Sequence, residues 1–375
     1  MIEYIGVNDH KIDLFEGQYK VKNGMSYNSY VIIDEKIAVL DTVDRNFSDE
    51  WLVNLESKLD GRIPDYLVIH HMEPDHSANI KIFMDKYPNA CIVSSVGAFN
   101  MMKNLFKTDF SPNKLVVKEN DVLDLGNHKL IFISAPLVHW PEVMFSYDSY
   151  EKVLFSADGF GKFGALDVEE EWDNEARRYY SGIVGKFGKN VLNVLKKASS
   201  LEIKKIYPLH GPLLEDNLSH YISLYEKWAS YQPEEEGVVI CYTSVYGNTK
   251  NAVELLKDKL NELNKKYELF DLSRDDSSEA LSAVFKYDKV VLATTTYNGT
   301  IFPSMKEFID LLVEHNFQNR KVALIENGMW APTANKVMTS LLEGCANLDI
   351  ISNITIKGSL DEANEKDIID LANNL

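Results

Sequence analysis

The stretch Val68 to His76 reads "VIHHMEPDH" and sets three histidines and two carboxylates directly behind an apolar run. Tyr66–Ile69 has the composition of a buried strand, and side chains alternate along an extended chain. His71 and Glu73 therefore point the same way beyond the strand end. Pro74 favours a turn and limits the backbone freedom between that pair and the next, Asp75 and His76. Ionised groups resist burial without partners, so packing alone does not account for the cluster. Imidazole nitrogen together with carboxylate oxygen suits iron, zinc or manganese. The stretch reads as a metal site at the end of a strand.

Working outward, three more metal-capable residues stand just past expected strands, each close to Gly or Pro. His139 lies in "SAPLVHWPEVMF" after Leu130–Ser134, Asp158 in "LFSADGFGKFG" after Val153–Ser156, and His210 in "IYPLHGP" after Lys205–Tyr207. Binding residues commonly occupy loops at one end of a sheet. His70 is expected to support the motif rather than ligate, and His10, His128, His220 and His315 lie outside any motif.

Up to about Tyr231, short strands come first and then mix with helices, among them Ser48–Leu59, Ile80–Lys86 and Val96–Phe106. That order predicts a layered sandwich with helices outside. The helical stretch 172–198 carries Gly182, Gly185 and Gly188, so a break is expected within it. "QPEEEG", Gln232 to Gly237, reads as a linker, placing one domain at 1–232 and another at 237–375. Beyond it five apolar strands each precede a helix, which predicts a doubly wound, five-stranded parallel sheet.

The first loop of this second half, "YTSVYGNT" from Tyr242 to Thr249, joins a strand to a helix. Backbone amides at a helix N-terminus and side-chain hydroxyls together cradle a phosphate. A plain N-capped turn would use the same residues. No GxxxxGK[ST] is present to grip a triphosphate and no GxGxxG to bind a dinucleotide, so a monophosphate such as FMN fits best. "TTTYNGTIFP", Thr294 to Pro303, and "ENGMWAP", Glu326 to Pro332, follow the third and fourth strands, where open parallel sheets bind ligands.

The composition agrees with a globular α/β chain. Of 375 residues, 45% are hydrophobic and 26% charged, a length and mix that suit two ordinary domains. The net charge of −18 argues against nucleic acid or anionic membrane as partners. No apolar run is long enough for a membrane span and no signal peptide is evident, so a cytoplasmic location is expected. Cys91, Cys241 and Cys345 are too scattered for a disulfide framework or a metal knuckle and read as buried free thiols.

The ordered set His71, Glu73, Asp75, His76, His139, Asp158, His210 resembles the metallo-β-lactamase-type domain of the flavodiiron proteins, also called A-type flavoproteins. Hydrolytic relatives of that fold carry histidine where this chain has Glu73, and a carboxylate there favours iron. The resemblance implies an αββα sandwich in which His71, Glu73, His139 and Asp158 hold one iron. Asp75, His76, Asp158 and His210 would hold the other, with Asp158 bridging. The second half resembles a short-chain flavodoxin. That likeness implies Thr243, Ser244, Tyr246, Gly247, Asn248 and Thr249 on the FMN phosphate. It also places Thr295, Tyr297, Asn298 and Gly299 near the ring, with Asn327, Gly328 and Trp330.

The combined resemblance implies a gas reductase in which FMN passes electrons to a non-haem diiron centre. The expected reaction is O2 reduction to water, with NO reduction to N2O as the alternative. It further implies a head-to-tail homodimer or dimer of dimers. No fused rubredoxin is expected, so rubredoxin or another small carrier, or a reduced deazaflavin, would interact with the chain. Lys259 to Glu268, "KLNELNKKYE", offers a basic docking patch, although a solvated helix end has the same composition. Tyr27, Tyr179 and Tyr180 could each offer a hydroxyl to the gas or serve only in packing. The rival reading from another class is a zinc hydrolase of the metallo-β-lactamase type with an appended module; a partner-binding scaffold without turnover is a third.

Overall fold

The computed structural model describes every residue from Met1 to Leu375. The chain forms two compact units: Met1–Tyr180 with Phe187–Glu226, and Ser181–Lys186 with Lys227–Leu375.

The first unit holds two sheets. One has six strands in the order Ile2–Tyr4, Tyr30–Ile33, Ile37–Leu40, Tyr66–Val68, Cys91–Ser94, Lys114–Val116. The other has five, Val122–Asp124, Lys129–Ser134, Met144–Asp148, Val153–Phe155 and Lys205–Tyr207. Their apolar faces share one core, with Tyr30, Ile32, Leu40, Val68 and Val93 from the first sheet and Leu130, Phe132, Met144, Phe155 and Tyr207 from the second. Helix Ser48–Leu59 packs on the first sheet through fully buried Trp51, whose Nε1 donates to Ser29 Oγ at 3.0 Å. Helix Gly188–Ala198 packs on Lys129–Ser134 of the second.

The parallel pairings decide where the site lies. Tyr66–Val68 runs parallel to Ile37–Leu40 and Cys91–Ser94, and Val153–Phe155 runs parallel to Lys205–Tyr207. The loops bearing His71, Asp158 and His210 thus all leave the carboxyl ends of parallel strands. The break expected in 172–198 is a π-helical turn, Tyr180–Val184, followed by a short 3-10 turn before helix Gly188–Ala198. Such turns often accompany functional sites.

The second unit is built on a parallel sheet ordered Tyr267–Asp271, Glu235–Tyr242, Tyr287–Tyr297, Lys321–Asn327, Asp349–Ile356. This is the 2-1-3-4-5 order of flavodoxin-like sheets, whose ligand crevice lies beside the first strand at the carboxyl edge. The core packs Ile240, Val291, Ala323 and Ile354 of the strands against Val253, Leu256, Leu260, Ile368 and Leu371 of the helices. Gln232–Gly237 is not wholly linker: Glu235 already pairs with Tyr287 in the sheet, and the compact units part at Glu226 and Lys227. The third strand runs on to Tyr297 and turns back as Thr300–Ile301, a hairpin absent from the sequence reading. Cys241 is buried as expected, whereas Cys91 and Cys345 are half-buried; all three are free. No helix is long and apolar enough to cross a membrane.

Candidate functional site

The helix Pro74–Ser77 begins with proline at its first position, where a missing N–H costs nothing. It turns Asp75 and His76 back toward His71 and Glu73. The loop from Val153–Phe155 brings in Asp158, and the turn between Lys129–Ser134 and Met144–Asp148 brings in His139. The seven side chains predicted from sequence come together in two adjoining groups.

In the first group, His139 Nε2 stands 2.8 Å from Glu73 Oε2 and 3.0 Å from Asp158 Oδ2. His71 Nε2 stands 3.2 Å from the same Asp158 oxygen and 3.6 Å from Glu73 Oε2. In the second group, Asp75 Oδ2 lies 3.3 Å from both His76 Nε2 and His210 Nε2. The other oxygen of Asp158, Oδ1, reaches 3.7 Å from His76 Nε2 and 3.9 Å from His210 Nε2. Asp158 therefore faces both groups, one oxygen to each.

The electrostatics point to cations. His71, His76, His210 and Asp158 are buried to 1% exposure or less. Both oxygens of Asp158, both of Asp75 and both ring nitrogens of His71 are buried without a hydrogen-bond partner. Burial of such groups is costly unless a proton or a metal ion lies between the carboxylates and the imidazoles. His76 Nε2 and His210 Nε2 meet at 2.9 Å, a repulsive approach for two lone pairs unless a proton or metal ion lies between. His210 Nδ1 donates to the Ser26 carbonyl at 2.7 Å, which leaves its Nε2 lone pair facing inward.

Burial would by itself raise Asp158, but the imidazoles of His71, His139 and His210 hold it well below the usual carboxylate range. Burial likewise opposes charge on His139, yet Asp158 and Glu73 push it up to about 10. His71 is raised well above its ordinary value against burial, by Asp158 and Glu73. His76 goes the other way, to about 4, through burial and the neighbouring His210. The cluster is a dense set of negative oxygens and imidazoles whose charges are balanced only by held protons or by metal.

His70 points away from the site. Its Nδ1 meets Asp41 Oδ2 in a very short contact, its backbone N–H donates to Asp41 Oδ1 at 2.8 Å, and its Nε2 meets Ser146 Oγ at 2.8 Å. His10, His128, His220 and His315 all lie in contacts outside the two groups.

The second unit has a cleft of about 570 Å³ at the carboxyl edge of its sheet. Ser244, Tyr246, Asn248 and Thr249 line it from the first loop, and Thr295, Tyr297, Asn298 and Gly299 from the second. Asn327, Gly328 and Trp330 line it from the third. Two residues expected at the phosphate do not. Thr243 is fully buried and its hydroxyl is engaged with Thr294 Oγ1 at 2.7 Å, because at the strand end it turns into the sheet. Gly247 shapes the turn instead, at φ 94°, which glycine adopts without strain, and heads helix Asn248–Glu262. Sequence reasoning missed Val245, Thr296, Met329, Ala331 and Gly358, which also line the cleft. Gly358, at φ 88°, exchanges two hydrogen bonds with the Asn327 side chain. Helix N-terminal amides and hydroxyls at one end, and Tyr246, Tyr297 and Trp330 about the mouth, match the needs of a phosphate and a flat ring.

A metallo-β-lactamase-type sandwich whose metal set is rich in carboxylates, followed by a flavodoxin-type sheet with a phosphate-and-ring cleft, defines a two-cofactor redox protein. The comparisons agree. The family model "ODP family beta lactamase" matches residues 25–211, and the flavodoxin domain model matches residues 239–358. The anaerobic nitric oxide reductase flavorubredoxin of Salmonella arizonae is 31% identical over 359 residues, covering 91% of this chain and 74% of that one. The flavodiiron protein of Giardia intestinalis superposes with a TM-score of 0.92 at 27% identity, covering 100% of this chain and 94% of that one. The rubredoxin oxygen:oxidoreductase of Desulfovibrio gigas shares the fold, with a TM-score of 0.92 at 24% identity over 99% of this chain and 95% of that one. The chain belongs to the flavodiiron proteins, and its cofactors are FMN and a pair of non-haem irons.

Proposed function

We propose that the chain reduces O2 to water at a diiron centre held by His71, Glu73, Asp75, His76, His139, Asp158 and His210. The observation that carries this reading is the single carboxylate of Asp158, which turns one oxygen to each of two ligand groups. Four imidazoles, three carboxylates and no thiolate suit iron. When bound, FMN and the irons supply the electrons, four for each O2 taken to two waters and two for each pair of NO molecules taken to N2O and water.

The chain's own residues define the reaction space. Phe15 sits edge-on to His210 with centroids 5.3 Å apart, and Tyr27 and Tyr179 flank the same ring at 5.9 and 5.6 Å. These rings shield His210 from water. The Tyr179 hydroxyl is buried and makes no hydrogen bond. Burial and the nearby carboxylates of Asp158, Glu73 and Asp75 raise it well above the ordinary phenol value, so it keeps its proton and can donate a hydrogen bond to the gas.

A second reading, NO reduction to N2O as the main activity, is favoured by the name of the flavorubredoxins that the chain resembles at 31% identity. Stopped-flow oxidation of the fully reduced protein by each gas separates the two. Faster turnover with O2 is expected, and turnover only with NO would reverse the assignment.

The electron donor in this reading is rubredoxin or another small carrier, and the location is cytoplasmic. Lys259–Glu268 does not support a docking patch. Lys259 pairs with Glu262, Lys266 with Glu235, and Lys265 donates to the carbonyls of Ala372 and Asn373. Support for a head-to-tail homodimer, or a dimer of dimers, comes from the mouth of the flavin cleft, where Tyr246, Met329 and Trp330 are 93%, 70% and 80% exposed.

A further inference from the structure

Resting on the two-iron reading above, we propose that Glu142 is a positioning residue for one iron only, tying the loop of His71 and Glu73 to the loop of His139. Met72 sits between His71 and Glu73, and its backbone N–H donates to Glu142 Oε1 at 2.8 Å. Glu142 follows His139 by three residues. The first iron's ligands come from two separate loops and Asp158, and this bond joins those two loops. Both partners are buried, Met72 at 2% exposure and Glu142 at 9%, so water does not replace the bond when it is lost.

The stem of Glu142 is fixed from behind. A Cβ added at Gly97 would come within 2.8 Å of Glu142 Cβ, so the stem rests on bare backbone of helix Val96–Phe106. Ser95, which caps that helix, donates its hydroxyl to the Glu142 carbonyl at 3.2 Å. The next peptide, Met72–Glu73, is held as well, where Ser77 Oγ donates to the Met72 carbonyl at 2.9 Å. With Glu142 in place, the two peptides flanking Met72, which orient His71 and Glu73, are fixed relative to His139.

The second iron's ligands meet Met72 only through Ser77 and have anchors of their own. Asp75 and His76 belong to helix Pro74–Ser77, whose His76 carbonyl accepts from Thr42 Oγ1 at 2.8 Å, and His210 is oriented by the Ser26 carbonyl. Loss of Glu142 is therefore felt at one metal position, which separates positioning from general weakening of the fold.

The test titrates ferrous iron anaerobically into metal-free full-length protein against a competing chelator, with circular dichroism to verify folding and Mössbauer spectra to read spin coupling of the pair. Glu142→Ala is expected to bind one iron about 10–100-fold more weakly and the other within about threefold of wild type. Its coupled-pair signal is lost at one-iron loading. Glu142→Gln keeps a carbonyl oxygen for Met72 N–H and restores both affinity and signal. Two equally tight irons in Glu142→Ala overturn the proposal, as does a Glu142→Gln variant that fails as badly as alanine. Should the alanine variant not fold, Glu142→Asp decides, because its shorter stem cannot reach Met72: one weakened iron supports the role and none overturns it. A wild-type protein that binds no iron pair would instead retire the two-iron reading itself.

Discussion

Replacing Asp158 with alanine is expected to remove both irons and to lower gas reduction by on the order of 10³-fold, while leaving FMN bound. The carboxylate stands 3.2 and 3.0 Å from His71 and His139 through one oxygen and 3.7 and 3.9 Å from His76 and His210 through the other. Without it, four imidazoles lose the one anion that lies within 4 Å of all of them, and each metal position would lose a ligand. Metal ions contribute several kcal/mol of charge stabilisation, and each ~1.4 kcal/mol is tenfold in rate. The alanine side chain also leaves the four imidazoles with only Glu73 and Asp75 as counter-charge, one to each group. Iron analysis, flavin absorbance and anaerobic gas consumption check the result. Retention of one full iron in this variant would show that Asp158 serves a single position.

The second large effect is on metal affinity as pH changes. In the metal-free protein, Asp158 and Glu73 hold His139 at about 10 and raise His71 well above its usual value, both against the effect of burial. These imidazoles carry protons at neutral pH, and a metal binds only the neutral form. Binding must then release protons, and affinity rises about tenfold per pH unit for each proton displaced. For His139 alone, that is about a hundredfold between pH 6 and pH 8. His76, lowered to about 4, is already neutral there and releases none. His210 is raised by Asp75 and Asp158 against burial, so the second position displaces a proton from one raised imidazole, and the position formed by His71, Glu73 and His139, with two, should show the steeper dependence. The sign for stability is opposite. A folded value raised above the unfolded 6.5 stabilises the metal-free protein fully below pH 6.5, and that contribution is lost as pH rises through about 10. Chelator competition at several pH values, with proton release followed by an indicator dye, measures this. An affinity that stays flat from pH 6 to pH 8 would contradict it.

Much of the candidate metal site was legible because its densest part is contiguous. Between His71 and His76, strand alternation and the turn at Pro74 already dictate where the metal-capable side chains point. His139, Asp158 and His210 were legible one at a time as metal-capable residues past strand ends, but only the parallel pairing of Val153–Phe155 with Lys205–Tyr207 shows that two of those ends are neighbours. The strands of the first unit were harder. Ile2–Tyr4, Val7–Asp9, Met25–Tyr27 and Val122–Asp124 are three residues each, too short for any periodicity. Met144–Asp148 is buried at all five positions, so it shows no alternation to detect. In the flavin cleft, sequence reading treated every hydroxyl of the first loop alike. Whether Thr243 faces ligand or sheet depends on Thr294, fifty-one residues away, which no local pattern records. Gly358 was missed because a single glycine after the last strand carries no signal until Asn327 is seen to bond with it. The supporting role of Glu142 was invisible for the same reason, since it depends on the backbone of Met72 in another loop.

Glu73 stands where a zinc hydrolase of this fold is expected to carry histidine, and the cleft of the second unit has no use in a hydrolase. Both features bear on a single measurement: iron, zinc and FMN counted per chain in the protein purified without oxygen, with its visible spectrum. About two irons and one FMN per chain, in a yellow protein bleached by reductant, is the predicted result. A colourless protein loaded with zinc and hydrolysing an ester or lactam would contradict it.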